Sequence, residues 1–280
     1  YFTPKKIHAY LRAAIQLVFF LFLPSAFTTA FSGIKSVLTQ IGAGNPIAWS
    51  SFLTVLLALC AYTIVFGRFF CGYACAFGTL GDAVHSLYLF LCKKCKKKPL
   101  LLKKSWKKPL SYLKYAVLLA VVLLCFLGVY GDLTGWSPWD VFSMLRSGNF
   151  KVGAYWLGCI LLVLILVGMV FCERFFCRFL CPMGAVFSLL PILPFFSVRR
   201  KREKCAKGCT ACEKVCPSDL SLPEDGSWNV SGDCFQCQKC LEICPKKNAK
   251  SSIRNFRGNE IWFTLLRAVV LAAVLILAGI

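Results

Sequence analysis

Two runs decide how the chain is read. The first is Cys205-Ala206-Lys207-Gly208-Cys209-Thr210-Ala211-Cys212-Glu213-Lys214-Val215-Cys216-Pro217. The second is Cys234-Phe235-Gln236-Cys237-Gln238-Lys239-Cys240-Leu241-Glu242-Ile243-Cys244-Pro245. The second spells C-x2-C-x2-C-x3-C-P, in which three close thiolates grip one iron–sulfur cube and the fourth crosses to a neighbouring cube. The first differs by one residue, with x3 in its opening gap. The crossing pattern assigns Cys205, Cys209, Cys212 and Cys244 to one [4Fe–4S] cluster, cluster 1. It assigns Cys234, Cys237, Cys240 and Cys216 to a second, cluster 2. The competing readings are a zinc ribbon, because C-x2-C pairs also hold zinc, and a disulfide framework. Zinc leaves the repeated x3-C-P ending unexplained, and disulfide frameworks belong to small secreted domains.

The rest of the chain is not that of a soluble protein. Of its 280 residues, 58% are hydrophobic, and the mean hydropathy is +0.67. Several runs approach the roughly 20 apolar residues that cross a bilayer. The 33 Lys and Arg against 12 Asp and Glu would point to nucleic acid in a soluble chain. Here they stand in short blocks between apolar runs and act as topology signals, so no nucleic-acid partner is expected. No cleavable signal peptide is expected either, because the first apolar stretch is followed by more of the same.

Apolar spans are predicted at about 13–31, 50–67, 111–130 and 154–172, with a last one beginning near Ile261. The stretches 32–49 and 131–153 are predicted as loops. Two shorter apolar stretches, 77–91 and 183–198, read as re-entrant or interfacial helices. Segment 93–108 holds nine Lys and segment 199–207 six Lys or Arg, against one and two in the loops 32–49 and 131–153. The positive-inside rule then puts the basic segments and the cysteine module in the cytoplasm, with Trp136 and Trp139 at the outer interface. The run Arg199-Arg200-Lys201-Arg202 marks a membrane exit.

One phrase recurs inside the membrane part. Arg68-Phe69-Phe70-Cys71 reappears as Arg174-Phe175-Phe176-Cys177, and six of eleven positions match between 68–78 and 174–184. Each copy closes a span–loop–span hairpin, so the membrane domain reads as a duplicated two-span unit, about 1–95 and 105–200. On an α-helix the C-x3-C pairs Cys71/Cys75 and Cys177/Cys181 share one face. Their Cβ atoms would stand about 5–6 Å apart, too far for a disulfide. Two pairs meeting at a pseudo-twofold axis would offer four thiolates, a set suited to a third iron–sulfur cluster or a soft metal. Arg68 and Arg174 would offset its charge. The alternative is that these cysteines simply pack.

The predicted fold is therefore an all-α polytopic membrane protein carrying a small α+β two-cluster domain. Residues 1–200 form the membrane domain, 201–256 the cytoplasmic ferredoxin-like domain and 257–280 a C-terminal transmembrane helix.

Two C-x3-C(P) motifs at span ends, followed by such a module, resemble the NapH/NosR-type membrane-bound 4Fe-4S ferredoxins. The resemblance covers roughly residues 50–250. It implies electron transfer between membrane quinol and a partner redox subunit (a flavoprotein, cytochrome or reductase) in a prokaryotic cytoplasmic membrane. It carries the family's eight ferredoxin cysteines to the eight named above, and its C-x3-C-P motifs to Cys71/Cys75 and Cys177/Cys181. One departure is Ala76, where the family has a proline suited to a first helical turn.

With 2 His in the chain and no C-x2-C-H, no haem is expected, and thiolate sites are the visible carriers. Asp82 and His85, at i and i+3, are candidates for handling a quinol proton; the plainer reading is an interfacial polar patch. The many Lys and Arg near the module would raise cluster potentials or form a docking face for an acidic partner. Two further functions stay open: a copper-ion reductase with a thiolate Cu(I) site, and an iron–sulfur anchor serving assembly.

Overall fold

In the computed structural model, residues 4–129, 137–146, 148–150, 155–193, 196–253 and 259–280 are described. Trp136 lies outside them, as do the ends of the predicted 201–256 and 257–280 segments where they meet. Twelve α-helices run α1 (Pro4–Phe22), α2 (Ala26–Gly42), α3 (Ser51–Phe66), α4 (Ala76–Lys94), α5 (Lys104–Leu110), α6 (Leu113–Phe126), α7 (Pro138–Arg146), α8 (Trp156–Phe171), α9 (Pro182–Leu189), α10 (Ala211–Lys214), α11 (Lys239–Ile243) and α12 (Glu260–Leu277). Among the described residues, three strands, β1 (Phe196–Lys201), β2 (Asp225–Trp228) and β3 (Lys250–Ile253), form one sheet in the order β2-β1-β3.

Among the described residues, two stretches are long and apolar enough to cross a membrane, Ser105–Phe126 and Glu260–Leu277. A third counts if Ile7–Phe22 and Ala26–Gly42 form one broken span. The predicted continuous span 13–31 is therefore corrected. Pro24 lacks the N–H a helix interior needs and disfavours helix in the residue before it, so the chain breaks between Phe22 and Ala26. Helix α2 then continues to Gly42, where a loop from 32 was expected. Helices α3 and α8 are apolar but 16 residues each, short of the roughly 20 that span hydrocarbon. The stretch 77–91 lies in the longer helix α4. The stretch 183–198 is not one helix: α9 stops at Leu189, and β1 begins at Phe196.

The chain divides into two compact units. One comprises Ser25–Leu57 and Ala76–Ala185, with the last two residues. Here α2 packs on α6, and α4 and α7 pack on α8. A Cβ on Gly42 would stand 2.8 Å from the Phe126 backbone, the close helix approach that small residues permit. The core is aromatic. Phe27 meets Phe77 and Phe176 edge-on at 5.5 and 6.0 Å, and Trp139 meets Phe31 at 4.9 Å. Trp139 is only 8% exposed, so it packs in this core instead of anchoring an interface.

The other unit comprises Tyr1–Pro24, Ala58–Cys75 and Val186–Ala278. It holds the sheet and both cysteine runs. Val198, Cys212, Leu222, Leu241 and Ala249 form the module's small core, with Cys240 and Cys244 packed against it. Residues 199–201 of the basic run, expected to mark a membrane exit, form the second half of β1. Alternation along that strand (period 2) buries Val198 and Arg200 and exposes Arg199, whose guanidinium lies 4.8 Å over the Trp228 ring on β2.

Candidate functional site

The cysteine runs fold as loops closed by single helical turns, α10 and α11, which pack together. Asn248 joins the distant ends of the proposed cluster 1 set. Its backbone N–H donates to Cys244 Sγ (3.2 Å), and its Nδ2 donates to Cys205 Sγ (3.3 Å) and to the Lys201 carbonyl (2.6 Å). Arg200 Nη1 donates to Cys212 Sγ at 3.1 Å, while Nη2 is held by the Leu222 carbonyl at 2.7 Å. N–H donors aimed at sulfur are what a thiolate-bound cluster requires, and they help set its potential.

Cys216, Cys234, Cys237 and Cys240 line one pocket, with Cys212 and Val198 on its wall. Burial pushes the Cys234 thiol up to about 11, with the Gln236 backbone hydrogen bond working against the rise. Burial likewise raises Cys240 well above the usual thiol range, and Cys237, Cys234, Cys216 and Cys212 push it further. Binding a metal group requires such thiols to lose their protons, so it would be pH-dependent here. Gln236 and Gln238, flanking Cys237, adopt left-handed backbone (φ 53° and 61°). Non-glycine residues take that conformation rarely, typically where surrounding structure enforces it. Among the described residues, no three His, Cys, Asp or Glu side chains converge tightly enough to hold a single metal ion. The all-thiolate donor sets and the N–H···S contacts suit [4Fe–4S] groups. Such groups, when bound, supply one-electron chemistry.

The cluster 2 loop is clasped from its own unit. Arg12 Nη1 donates to the Cys237 carbonyl at 3.0 Å and pairs with Glu242 at 2.6 Å. Gln238 and Thr264 of α12 exchange hydrogen bonds at 2.8 and 3.1 Å. A Cβ on Gly72, between Cys71 and Cys75, would lie 2.2 Å from the Phe235 carbonyl oxygen. The first C-x3-C copy therefore seats its backbone directly on this loop.

Both C-x3-C copies are π-turns, Phe70–Ala74 and Phe176–Leu180, and not the α-helical segments expected. The turn closes when Cys75 N–H reaches the Phe70 carbonyl and Cys181 N–H the Phe176 carbonyl, both at 2.9 Å. The second cysteine is then extended (ψ 123° and 114°) and starts the next helix. Cys181 acts as an N-cap: its Sγ accepts from Gly184 N–H at 3.2 Å, satisfying one of the free donors of the first turn. Helix α4 begins at Ala76 as α9 begins at Pro182, so the missing proline does not displace the helix start. π-turns of this kind recur at functional sites.

The arginines are placed differently from each other. Arg174, fully buried, forks onto Asp82 through Nε (3.0 Å) and Nη2 (2.6 Å). Arg68 reaches the Gly232 carbonyl (3.3 Å) and Asp233 (3.6 Å) and lies 4.7 Å over the Phe235 ring. Asp82 and His85 are both buried. His85 Nδ1 lies 3.0 Å from the Val170 carbonyl and donates to it as the Nδ1–H tautomer. The Asp82–Arg174 pair was invisible to the sequence reading, since 92 residues separate the partners. Also missed were Arg200, Asn248 and Arg267. Arg267 is buried in α12, bonding Ser251 at 3.1 Å and lying 5.0 Å over the Phe69 ring. A charged residue inside an apolar span was the available signal.

A family model described as "4Fe-4S binding domain" matches residues 48–109 and 154–202, the segments around the two C-x3-C copies. Uncharacterized protein MJ0749 of Methanocaldococcus jannaschii is 32% identical over 195 residues, 69% of this chain and 68% of its own length. Uncharacterized protein MJ0750 of the same organism is 31% identical over 237 residues, 84% of this chain and 90% of its own length. Ferredoxin-type protein NapH of Haemophilus influenzae is 27% identical over 211 residues, 71% and 67% of the two chains. No solved structure matches. With candidate membrane spans, a 4Fe-4S-type match and these relatives in agreement, the chain belongs to the NapH/NosR-type family of membrane-bound 4Fe-4S ferredoxin proteins.

Proposed function

We propose that this chain is a membrane electron relay. It takes electrons from, or returns them to, a quinone pool or partner redox subunit through two [4Fe–4S] clusters held on the cytoplasmic face of a prokaryotic cytoplasmic membrane. The observation that carries the reading is the grouping of thiols: Asn248 ties Cys205 to Cys244 across the two runs, and Cys216 shares a cavity with Cys234, Cys237 and Cys240. The match of one family model to both membrane segments, and their shared π-turn, support a duplicated two-span unit.

The chain's own residues bind and orient. Eight cysteines hold the two clusters, Arg200 and Asn248 donate to their sulfurs, and Arg12, Gly72 and Thr264 fix the cluster 2 loop. Each repeated pair, Cys71/Cys75 and Cys177/Cys181, offers two thiols to a further thiolate-bound group, with Arg68 and Arg174 opening the respective motifs. Partner redox subunits are of flavoprotein, cytochrome or reductase type.

Iron analysis with EPR on anaerobically purified protein tests this. Two cubes give about eight irons per chain. Iron beyond that, lost in Cys71→Ser or Cys177→Ser, is expected from the further group. A content of about eight that those substitutions leave unchanged would remove the membrane group and keep the module. A content near zero with intact protein would sink the relay itself.

A further inference from the structure

The two proposed clusters differ in what surrounds them. The cluster 2 loop is interior: Phe235, Gln236 and Gln238 are at most 3% exposed, and Arg12, Gly72 and Thr264 cover it. Around the cluster 1 set, Cys205, Cys209 and Cys244 are half-buried and Cys212 is buried, and it is the residues flanking them that open toward water. Lys201, Lys204 and Lys207 interleave with Cys205 and Cys209, Lys246 and Lys247 follow Cys244, and all five are exposed. Asn248 brings these two lysine groups to one place, because it bonds the Lys201 carbonyl, Cys205 and Cys244 together. Between Lys201 and Cys209 the one acid is Glu203, and between Cys244 and Lys250 there is none. Glu224 lies 4.0 and 3.9 Å from Arg200 and Arg202 but is 72% exposed, so water screens it. Ile243, beside Cys244, is 46% exposed and adds an apolar point within the charged rim, as docking faces have.

Resting on the two-cluster reading, we propose that the lysine face around Cys205, Cys209 and Cys244 is the docking site of an acidic, water-soluble redox protein, and that cluster 1 is the port through which it exchanges electrons. Charge complementarity steers such partners and sets register more than it adds affinity. A lysine face alone would equally suit anionic lipid. Three thiolate ligands at its centre favour a redox partner, because an electron crossing there meets a short gap. One electron leaves the reduced module for the partner's oxidised centre; no bond forms and no proton moves.

The test uses the full chain in detergent, reduced with dithionite, and an oxidised acidic cupredoxin as probe, whose Cu(II) becomes Cu(I) and bleaches. A basic c-type cytochrome serves as the opposite probe. The cupredoxin rate should fall with added salt, and Lys204→Glu/Lys207→Glu or Lys246→Glu/Lys247→Glu should each lower it about tenfold at low salt. Lys246→Gln/Lys247→Gln should give a smaller drop. Iron content and EPR signals should stay at wild-type values, and Lys96→Glu/Lys97→Glu, in the other unit, should leave the rate unchanged. Equal rates in all variants, an equal drop in Lys96→Glu/Lys97→Glu, or a faster reaction with the basic cytochrome would overturn the docking site. So would variants that lose binding to phosphatidylserine vesicles while keeping the cupredoxin rate, since the face would then be a lipid contact. A wild type with no reducible clusters would overturn the two-cluster reading first, and this proposal with it.

Discussion

Residues 68–78 and 174–184 share a phrase and a local fold, yet each is fastened to different neighbours. Both run from an arginine through a π-turn to a helix that starts after the second cysteine. The matching positions are the arginine and glycine at the two ends, two phenylalanines, of which Phe69, Phe70 and Phe176 are buried and Phe175 is half-buried, and the two cysteines. The differing positions report the surroundings. Gly72 stands where a carbonyl of the cluster 2 loop presses in; its counterpart Arg178 is a buried side chain lying 5.1 Å from the Phe179 ring. Arg68 meets a backbone carbonyl, a partly exposed Asp233 and an aromatic face, whereas Arg174 meets a buried carboxylate with a two-pronged fit. A repeated motif thus keeps its local geometry while its tertiary roles diverge.

That divergence can be broken at its strongest point first. Asp82→Asn leaves the Arg174 charge buried without its carboxylate, a change that costs about 3–5 kcal/mol. The expected outcome is a large fall in melting temperature by detergent-phase calorimetry, while Asp233→Asn, at the partly exposed partner of Arg68, should cost under about 1 kcal/mol. Equal losses would mean the two arginines are held alike.

Gly72→Ala comes next. The new Cβ would overlap the Phe235 carbonyl, and overpacking of this kind costs roughly 1–3 kcal/mol. Its sharper signature is selective: the EPR signal of cluster 2 should broaden or disappear while that of cluster 1 persists. Parallel loss of both signals would show that the contact supports the unit in general.

Arg200→Gln removes a buried charge that donates to Cys212. The potential of cluster 1 should fall by about a decade in the redox equilibrium, or about 59 mV for one electron. An EPR-monitored titration reads it, and an unchanged potential would reduce Arg200 to a packing residue.

The smallest effect is expected from Ala76→Pro, which writes the second copy's residue into the first. Helix α4 already starts there, and proline suits a first helical position, so stability should stay within about 1 kcal/mol of wild type. A marked loss would show that the two helix starts differ in ways their backbones conceal.

Much of this molecule was legible in one dimension because its strongest signals are local. Cysteine spacing, the recurrence of the Arg-Phe-Phe-Cys phrase and the apolar blocks can each be read within about twenty residues. The same locality explains the errors. An α-helical face was assumed for C-x3-C, whereas packing of the buried phenylalanines accompanies a wider turn. A single span was drawn through Pro24 because hydropathy does not register a missing N–H. The basic run 199–202 reads along the sequence as a membrane-exit signal, and nothing in its spacing tells that alternation with period 2 also turns Arg200 inward on β1. Trp139 was set at an interface because it is amphipathic, but a ring beside Phe31 and Phe176 gains more by burial.

By itself, then, the sequence determined which thiols stand close along the chain, which segments are apolar and where one phrase repeats, since covalent spacing and side-chain polarity need no partner to be read. Only the tertiary structure decided that Asn248 joins Cys205 to Cys244, that Asp82 meets Arg174, that Gly72 seats the Phe235 carbonyl and that Arg200 points at Cys212. Those contacts join residues far apart in the chain. They exist because burial leaves each donor, charge and carbonyl to find its counterpart within the fold instead of in water.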